Sequence, residues 1–190
     1  MEPLALLITA AAMEAPGERP VASAASDPAT FELLMRQHER LVLATAFRLL
    51  GNMHDAQDVA QEAFFRLYRN LGRVRAAENV TGWLYRVTVN LCRDQQRRSR
   101  RITELEDMPA VSADPQQEFA DAERRRALAL SLRMLPEKER AALVLRDLEG
   151  LPTSQVAEIL GSSEATIRSQ ISKARVKMKE FTERYFRRRV

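Results

Sequence analysis

One cysteine, Cys92, and two histidines, His38 and His54, are all that these 190 residues offer as thiol or imidazole ligands. A lone cysteine cannot close an internal disulfide, and it cannot build a cysteine-cluster zinc site. No intrinsic transition-metal site is expected, and a chain without disulfides suits a reducing cytoplasm. No apolar run approaches the roughly 20 residues that a bilayer-spanning helix needs, so membrane insertion is not expected. The opening MEPLALLITAAAMEA has a signal-like apolar run, but Glu2 stands where a basic region should be and no stop pattern follows. It is therefore not read as a secretory signal, and Met13 is an alternative start. Gly-rich phosphate loops and Ser/His/Asp pairings are also missing. Asp55, Asp58 and Glu62 share one helix face with no opposing carboxylate or histidine set, so neither catalytic residues nor a cofactor is expected.

The chain does carry charge, unevenly distributed. A net charge of only +4 accompanies a calculated pI of about 9.6. From Arg168 to the end there are nine Lys/Arg against two Glu. This basic stretch belongs to LPTSQVAEILGSSEATIRSQISKARVKMK, residues 151–179, which reads as two helices around a tight turn. Val156, Ala157 and Leu160 share a face of the first helix, Gly161 supplies the turn, and Ser162 or Ser163 can cap the second. Ile167, Ile171, Ala174, Met178, Phe181 and Tyr185 then form one apolar stripe of a 3.6-residue helix. Arg168, Ser169, Gln170, Ser172, Lys173 and Arg175 occupy its other faces. A short helix, a glycine turn and a basic second helix make a helix-turn-helix, whose second helix fits the major groove. Arg and Gln can read base edges there, while Ser and Lys can hold phosphates.

Upstream, residues 1–28 are rich in Ala, Pro, Gly and Ser and read as a disordered tail. Asp27-Pro28 opens a helix that runs through Phe31, Leu34, Leu41, Ala44 and Phe47 to Leu50, where Gly51 stops it. Asn52 caps a second helix with the apolar face Ala56, Val59, Ala60, Ala63, Phe64, Leu67. On its opposite face Asp55, Asp58 and Glu62 precede Arg66 and Arg69. Two readings of that order stay open: the helix macrodipole favours it, and so would an acidic docking patch for a basic partner. Residues 72–80, GRVRAAENV, read as a loop with two arginines.

In TGWLYRVTVNLCRDQQRRSRR, Val80, Leu84, Val87 and Leu91 step at helical intervals. Trp83, Arg86, Asn90, Arg93, Arg97 and Arg100 keep that spacing for nearly five turns, which no strand could sustain. A stripe of one indole, one amide and several guanidiniums suits nucleic acid, although Trp83 could equally lie in the core. Residues 102–122 have six acids, no Lys or Arg, and two prolines, and read as an acidic linker. Beyond it, Leu128, Leu132 and Leu135 mark one helix, Pro136 starts another, and Ala141, Val144, Leu145 and Leu148 give its apolar face up to Gly150. The expected fold is all-α: two small helical domains, 29–101 and 123–190, joined by a flexible acidic linker at 102–122, with the helix-turn-helix in the second.

Three segments in this order, DAQDVAQEAFFRLYRNL, TGWLYRVTVNLCRDQQRRSRR and LPEKERAALVLRDLEGLPTSQVAEILGSSEATIRSQISKAR, resemble the extracytoplasmic-function (group IV) sigma factors of bacterial RNA polymerase. The resemblance covers roughly residues 30–179 and implies two helical domains that bind core polymerase and direct it to promoter DNA. It places Asp55, Asp58, Gln61 and Glu62 on the core-docking helix. It assigns Arg73, Arg75, Asn79, Trp83, Arg86, Asn90, Arg93, Arg97 and Arg98 to the part that reads the minus-ten element and captures a flipped base. Thr166, Arg168, Ser169, Gln170, Ser172, Lys173 and Arg175 fall on the minus-thirty-five reader, with Arg146 and Thr153 at phosphate-contacting positions. An anti-sigma factor is implied as a further partner.

The chain departs from many relatives in having Ala165-Thr166-Ile167 and Ser169-Gln170 in the recognition helix. Ala165 stiffens the helix start, and Gln170 gives up a cation but can pair bidentately with adenine, so an unusual promoter is expected. The alternative is a stand-alone helix-turn-helix regulator, which would need a sensing or dimerising first domain. Residues 30–101 offer no ligand-pocket signature and no long heptad seam.

Overall fold

The computed structural model describes residues 28–76, 79–103 and 119–187. Eight α-helices and one π turn make up these residues, and no strand occurs among them. The first half contains α1 (Pro28–Leu50), α2 (Met53–Arg69), α3 (Leu71–Ala76) and α4 (Val80–Thr103). The second contains α5 (Phe119–Met134), α6 (Glu137–Leu143) with its π-helical continuation Val144–Leu148, α7 (Thr153–Leu160) and α8 (Glu164–Arg187).

Local chemistry sets most boundaries where the sequence places them. Gly51 ends α1 in the left-handed region at φ 81°, and the Asn52 side chain accepts the Asp55 N–H at 2.8 Å to start α2. All six residues of the expected α2 apolar face are buried. Asp27, the expected cap of α1, lies outside the described residues, as does the expected N-terminal tail apart from Pro28. Two boundaries shift. The expected loop at 72–80 is helical as far as Ala76, because Leu71 and Val74, three apart, both enter the core. The acidic segment is helical at both ends, since α4 reaches Thr103 and α5 begins at Phe119; residues 104–118 lie outside the described residues.

The buried faces are rotated from the expected ones in three helices. On α1 the core takes the expected Phe31 but then Val42, Thr45, Ala46 and Leu49, leaving Phe47 37% exposed. On α4 it takes Leu84, Tyr85, Thr88, Val89 and Cys92, with Val80, Val87 and Leu91 only half-buried. On α5 and just past its end, Leu132 and Leu135 are buried as expected, with Ala127 and Ser131 beside them, and Leu128 is not. The reason is tertiary: α1 and α4 are covered on two sides, by their own domain and by the second one. One core cluster, with Phe31, Val42, Phe64, Leu67 and Leu84, belongs to the first half alone. The other runs from Ala46, Leu49, Val59, Tyr85, Val89 and Cys92 into Leu132, Leu135, Val144, Leu145, Val156 and Ile167. The two domains thus share a core.

Burial pushes the Cys92 thiol up to about 12, with the Asp55 carboxylate adding to the rise. It stays protonated and serves as a small core hydrophobe. Thr88 is fully buried, and its hydroxyl makes no hydrogen bond. Desolvating an unpaired hydroxyl costs about 1–3 kcal/mol, so Thr88→Val, of the same shape, should gain about 1 kcal/mol and raise Tm by about 2–4 °C. A lowered Tm in thermal unfolding would show that this hydroxyl has a structural partner.

Candidate nucleic-acid interface

The helix-turn-helix is built by three local devices. Gly161 turns the chain at φ 62°, Ser163 Oγ accepts the Thr166 N–H at 3.1 Å, and Ile167, Ile171 and Ala174 bury one face of α8. Arg168, Ser169, Ser172, Lys173 and Arg175 are exposed on the remaining faces, and Gln170 is half-buried. Not all are free. Arg175 binds Asp147 through two hydrogen bonds of 2.8 and 2.9 Å, and this pairing raises its pKa further. Arg168 pairs with Glu164 one turn back, and the Thr166 hydroxyl meets Ser163 Oγ at 2.8 Å. Arg146 and Thr153 are half-buried at the π turn and at the start of α7.

The α4 stripe is held on α1 by His38, whose Nε2 meets Thr81 Oγ1 at 3.0 Å while Nδ1 donates to the Leu34 carbonyl at 2.9 Å. Asn79 caps α4: its Oδ1 accepts the Gly82 N–H at 2.8 Å, and a Cβ on Gly82 would come within 2.7 Å of the Asn79 amide. Trp83 is half-buried against the first-domain core, between the two places open to it from sequence. Asn90, Arg97 and Arg98 are exposed, and so is Arg73 on α3. The Arg75 side chain lies outside the described residues. Arg86 and Arg93 are engaged by the other domain: Arg86 donates to Glu158 Oε1 at 3.0 Å, and Arg93 Nε lies 3.2 Å from Glu137 Oε1.

A third surface lies on α2, where Asp58 and Gln61 are exposed and Glu62 is half-exposed. Asp55 is held by Asn52 Nδ2 at 2.6 Å and Gln95 Nε2 at 3.1 Å, which makes it a brace between α2 and α4. Glu62 pairs with Arg66 at 2.7 Å, and the ligand atoms of His54, Asp55 and Asp58 lie within 4.8 Å of one another. The sequence reading passed over Phe65, which is 50% exposed beside Glu62 with Arg69 over its ring. Its place one residue beyond the buried Phe64 was the available signal.

Residues 34–102 match Sigma-70 region 2, and residues 125–178 match Sigma-70, region 4. The ECF RNA polymerase sigma factor SigE of Mycolicibacterium smegmatis is 35% identical over 158 residues, which cover 80% of this chain and 61% of that protein. The ECF RNA polymerase sigma factor SigM of Mycobacterium tuberculosis is 33% identical over 160 residues, covering 83% of this chain and 79% of that protein. The chain belongs to the ECF RNA polymerase sigma factors. In this sigma factor, region 2 spans most of α1 to α4, and region 4 spans α5 into α8. The sigma factor RpoE of Bartonella quintana, crystallised with the anti-sigma factor NepR, shares the fold at a TM-score of 0.67 and 22% identity, over 81% of this chain and 97% of that one. Among the described residues of this sigma factor no helix is long and apolar enough to cross a membrane.

Proposed function

We propose that this sigma factor is a dissociable specificity subunit that binds core RNA polymerase, recognises promoter DNA and helps to melt it. The α2 face at Asp58, Gln61 and Glu62 docks on core, with Phe65 as a neighbouring apolar anchor. Trp83, Asn90, Arg97 and Arg98 on α4, with Arg73 on α3, serve the minus-ten element. There an unstacked base costs a few kcal/mol that strand contacts must offset. Helix α8 reads the minus-thirty-five duplex through Arg168, Ser169, Gln170, Ser172 and Lys173. The protein acts in the cytoplasm without chemistry of its own, and an anti-sigma factor is its natural restraint.

The observation that carries this reading is the coexistence of two unlike surfaces on one small protein. A basic helix seated on the core through Ile167, Ile171 and Ala174 suits DNA, and an exposed acid-amide face on α2 suits a protein partner. A stand-alone helix-turn-helix regulator would leave the α2 face without a task. The test is run-off transcription with core RNA polymerase on fragments of the protein's own genome. Promoter-specific transcripts are expected only when the protein is added. Sequence-specific DNA binding without any new transcript would favour the stand-alone regulator.

A further inference from the structure

Glu149 stands at the exit of the π turn, where its own N–H closes onto the Val144 carbonyl at 2.9 Å. From there its carboxylate reaches the first domain. Oε1 accepts hydrogen bonds from Thr45 Oγ1 at 2.9 Å and from Arg48 Nη1, and Oε2 accepts one from Tyr85 OH at 3.1 Å. Only 9% of this side chain is exposed. Three donors from α1 and α4 therefore converge on one carboxylate of the second domain. Losing it would leave Arg48 and two buried hydroxyls short of their acceptor.

Around this point the second domain covers part of the α4 stripe. Glu158 holds Arg86 and Glu137 holds Arg93, so acids of the second domain occupy two cations that the family resemblance assigns to the minus-ten reader. Asp58 and Gln61 on α2 stay exposed in the same arrangement. The closed pair is also too short for a promoter. Domains of about 75 residues are about 30 Å across, so two in contact reach about 60 Å. Elements roughly 25 base pairs apart are separated by about 85 Å of B-form DNA.

We propose that Glu149 is an inter-domain latch, holding the free factor in a closed form that can dock on core polymerase but cannot engage promoter DNA with both domains. DNA binding by the free protein is reduced by the fraction of molecules that are open, and docking of the first domain on core releases the latch. The latch rests on the sigma-factor reading above for its purpose, but its closure can be measured without polymerase.

The experiment compares full-length wild type, Glu149→Gln and Tyr85→Phe by small-angle X-ray scattering. Their affinity for a labelled single-stranded minus-ten oligonucleotide, taken from a promoter found by run-off transcription, is measured in parallel. Glu149→Gln should expand the particle and bind the strand about tenfold tighter, the worth of one charge-assisted hydrogen bond. Tyr85→Phe, which keeps the ring in the core, should shift both readouts the same way but less. Both variants should keep wild-type helicity and support promoter-specific transcription with core. A folded Glu149→Gln protein as compact and as weakly binding as wild type overturns the latch, as does a wild-type-like Tyr85→Phe if Glu149→Gln fails to fold. Absence of transcripts from wild type would instead remove the sigma-factor reading, with the scattering still deciding whether Glu149 closes the pair.

Discussion

Asp58→Asn combined with Glu62→Gln is expected to weaken binding to core RNA polymerase about 10- to 100-fold, on the scale of 1.5 kcal/mol or more for each close charge pair at an interface. The side chains are 60% and 43% exposed, and neither enters a core cluster. Among the described residues their side-chain partners are His54 and Arg66, each one turn away, so stability should change little. The measurement is an equilibrium titration of labelled protein with core enzyme at two salt concentrations. The wild-type affinity should fall as salt rises, and the variant's should fall less steeply. Duplex binding by α8 should be untouched. Equal affinities for core, with equal salt slopes, would remove α2 from the docking assignment.

Arg140→Met is expected to cost about 2–4 kcal/mol and to lower Tm by about 5–15 °C. Half-buried on α6, Arg140 uses its guanidinium as a cap for the ends of two other helices. Nη2 donates to the carbonyls of Arg133 and Leu135 at 3.0 and 2.9 Å, and Nη1 donates to the Leu49 carbonyl at 2.6 Å. These are carbonyls that a helix C-terminus leaves without an intrahelical donor. Methionine keeps the stem and removes all the donors. Lysine should recover only part of the loss, because one ammonium cannot reproduce the planar fork. A Tm within about 2 °C of wild type for Arg140→Met would mean that water replaces these bonds at little cost.

How far the sequence could be read depended on how many neighbours each helix has. For α2, one stripe at Ala56, Val59, Ala60, Ala63, Phe64 and Leu67 meets one core, and periodicity suffices. Caps were legible at Asn52 and Ser163 because the side-chain acceptor and the backbone N–H donor lie three residues apart. Periodicity misplaces the buried faces of α1 and α4, where a second domain covers Thr45, Tyr85 and Cys92 that an isolated domain would leave outside. The recognition helix could be read as an address but not as a geometry. Nothing local says that Arg175 is bound by Asp147, 28 residues earlier, or that Arg86 is held by Glu158, 72 residues later. Glu149 itself meets Thr45 across 104 residues and Tyr85 across 64. Such pairings need the fold before they can be seen.

The π turn at Val144–Leu148 gives these contacts a genetic handle. A π turn is an α-helix with one residue too many, and each residue of an α-helix advances the chain by about 100° around its axis. The widened turn absorbs that surplus residue, so loss of one in-frame triplet within this stretch restores regular helix and leaves Glu149 facing Thr45, Arg48 and Tyr85, whereas a second loss, with nothing left to absorb it, would turn Glu149 by about 100°. The entry to the helix-turn-helix would rotate with it. Closure of the pair and the orientation of α8 therefore hang on the same turn, which can lose one codon but not two without changing both, and neither loss alters any helix of the first domain.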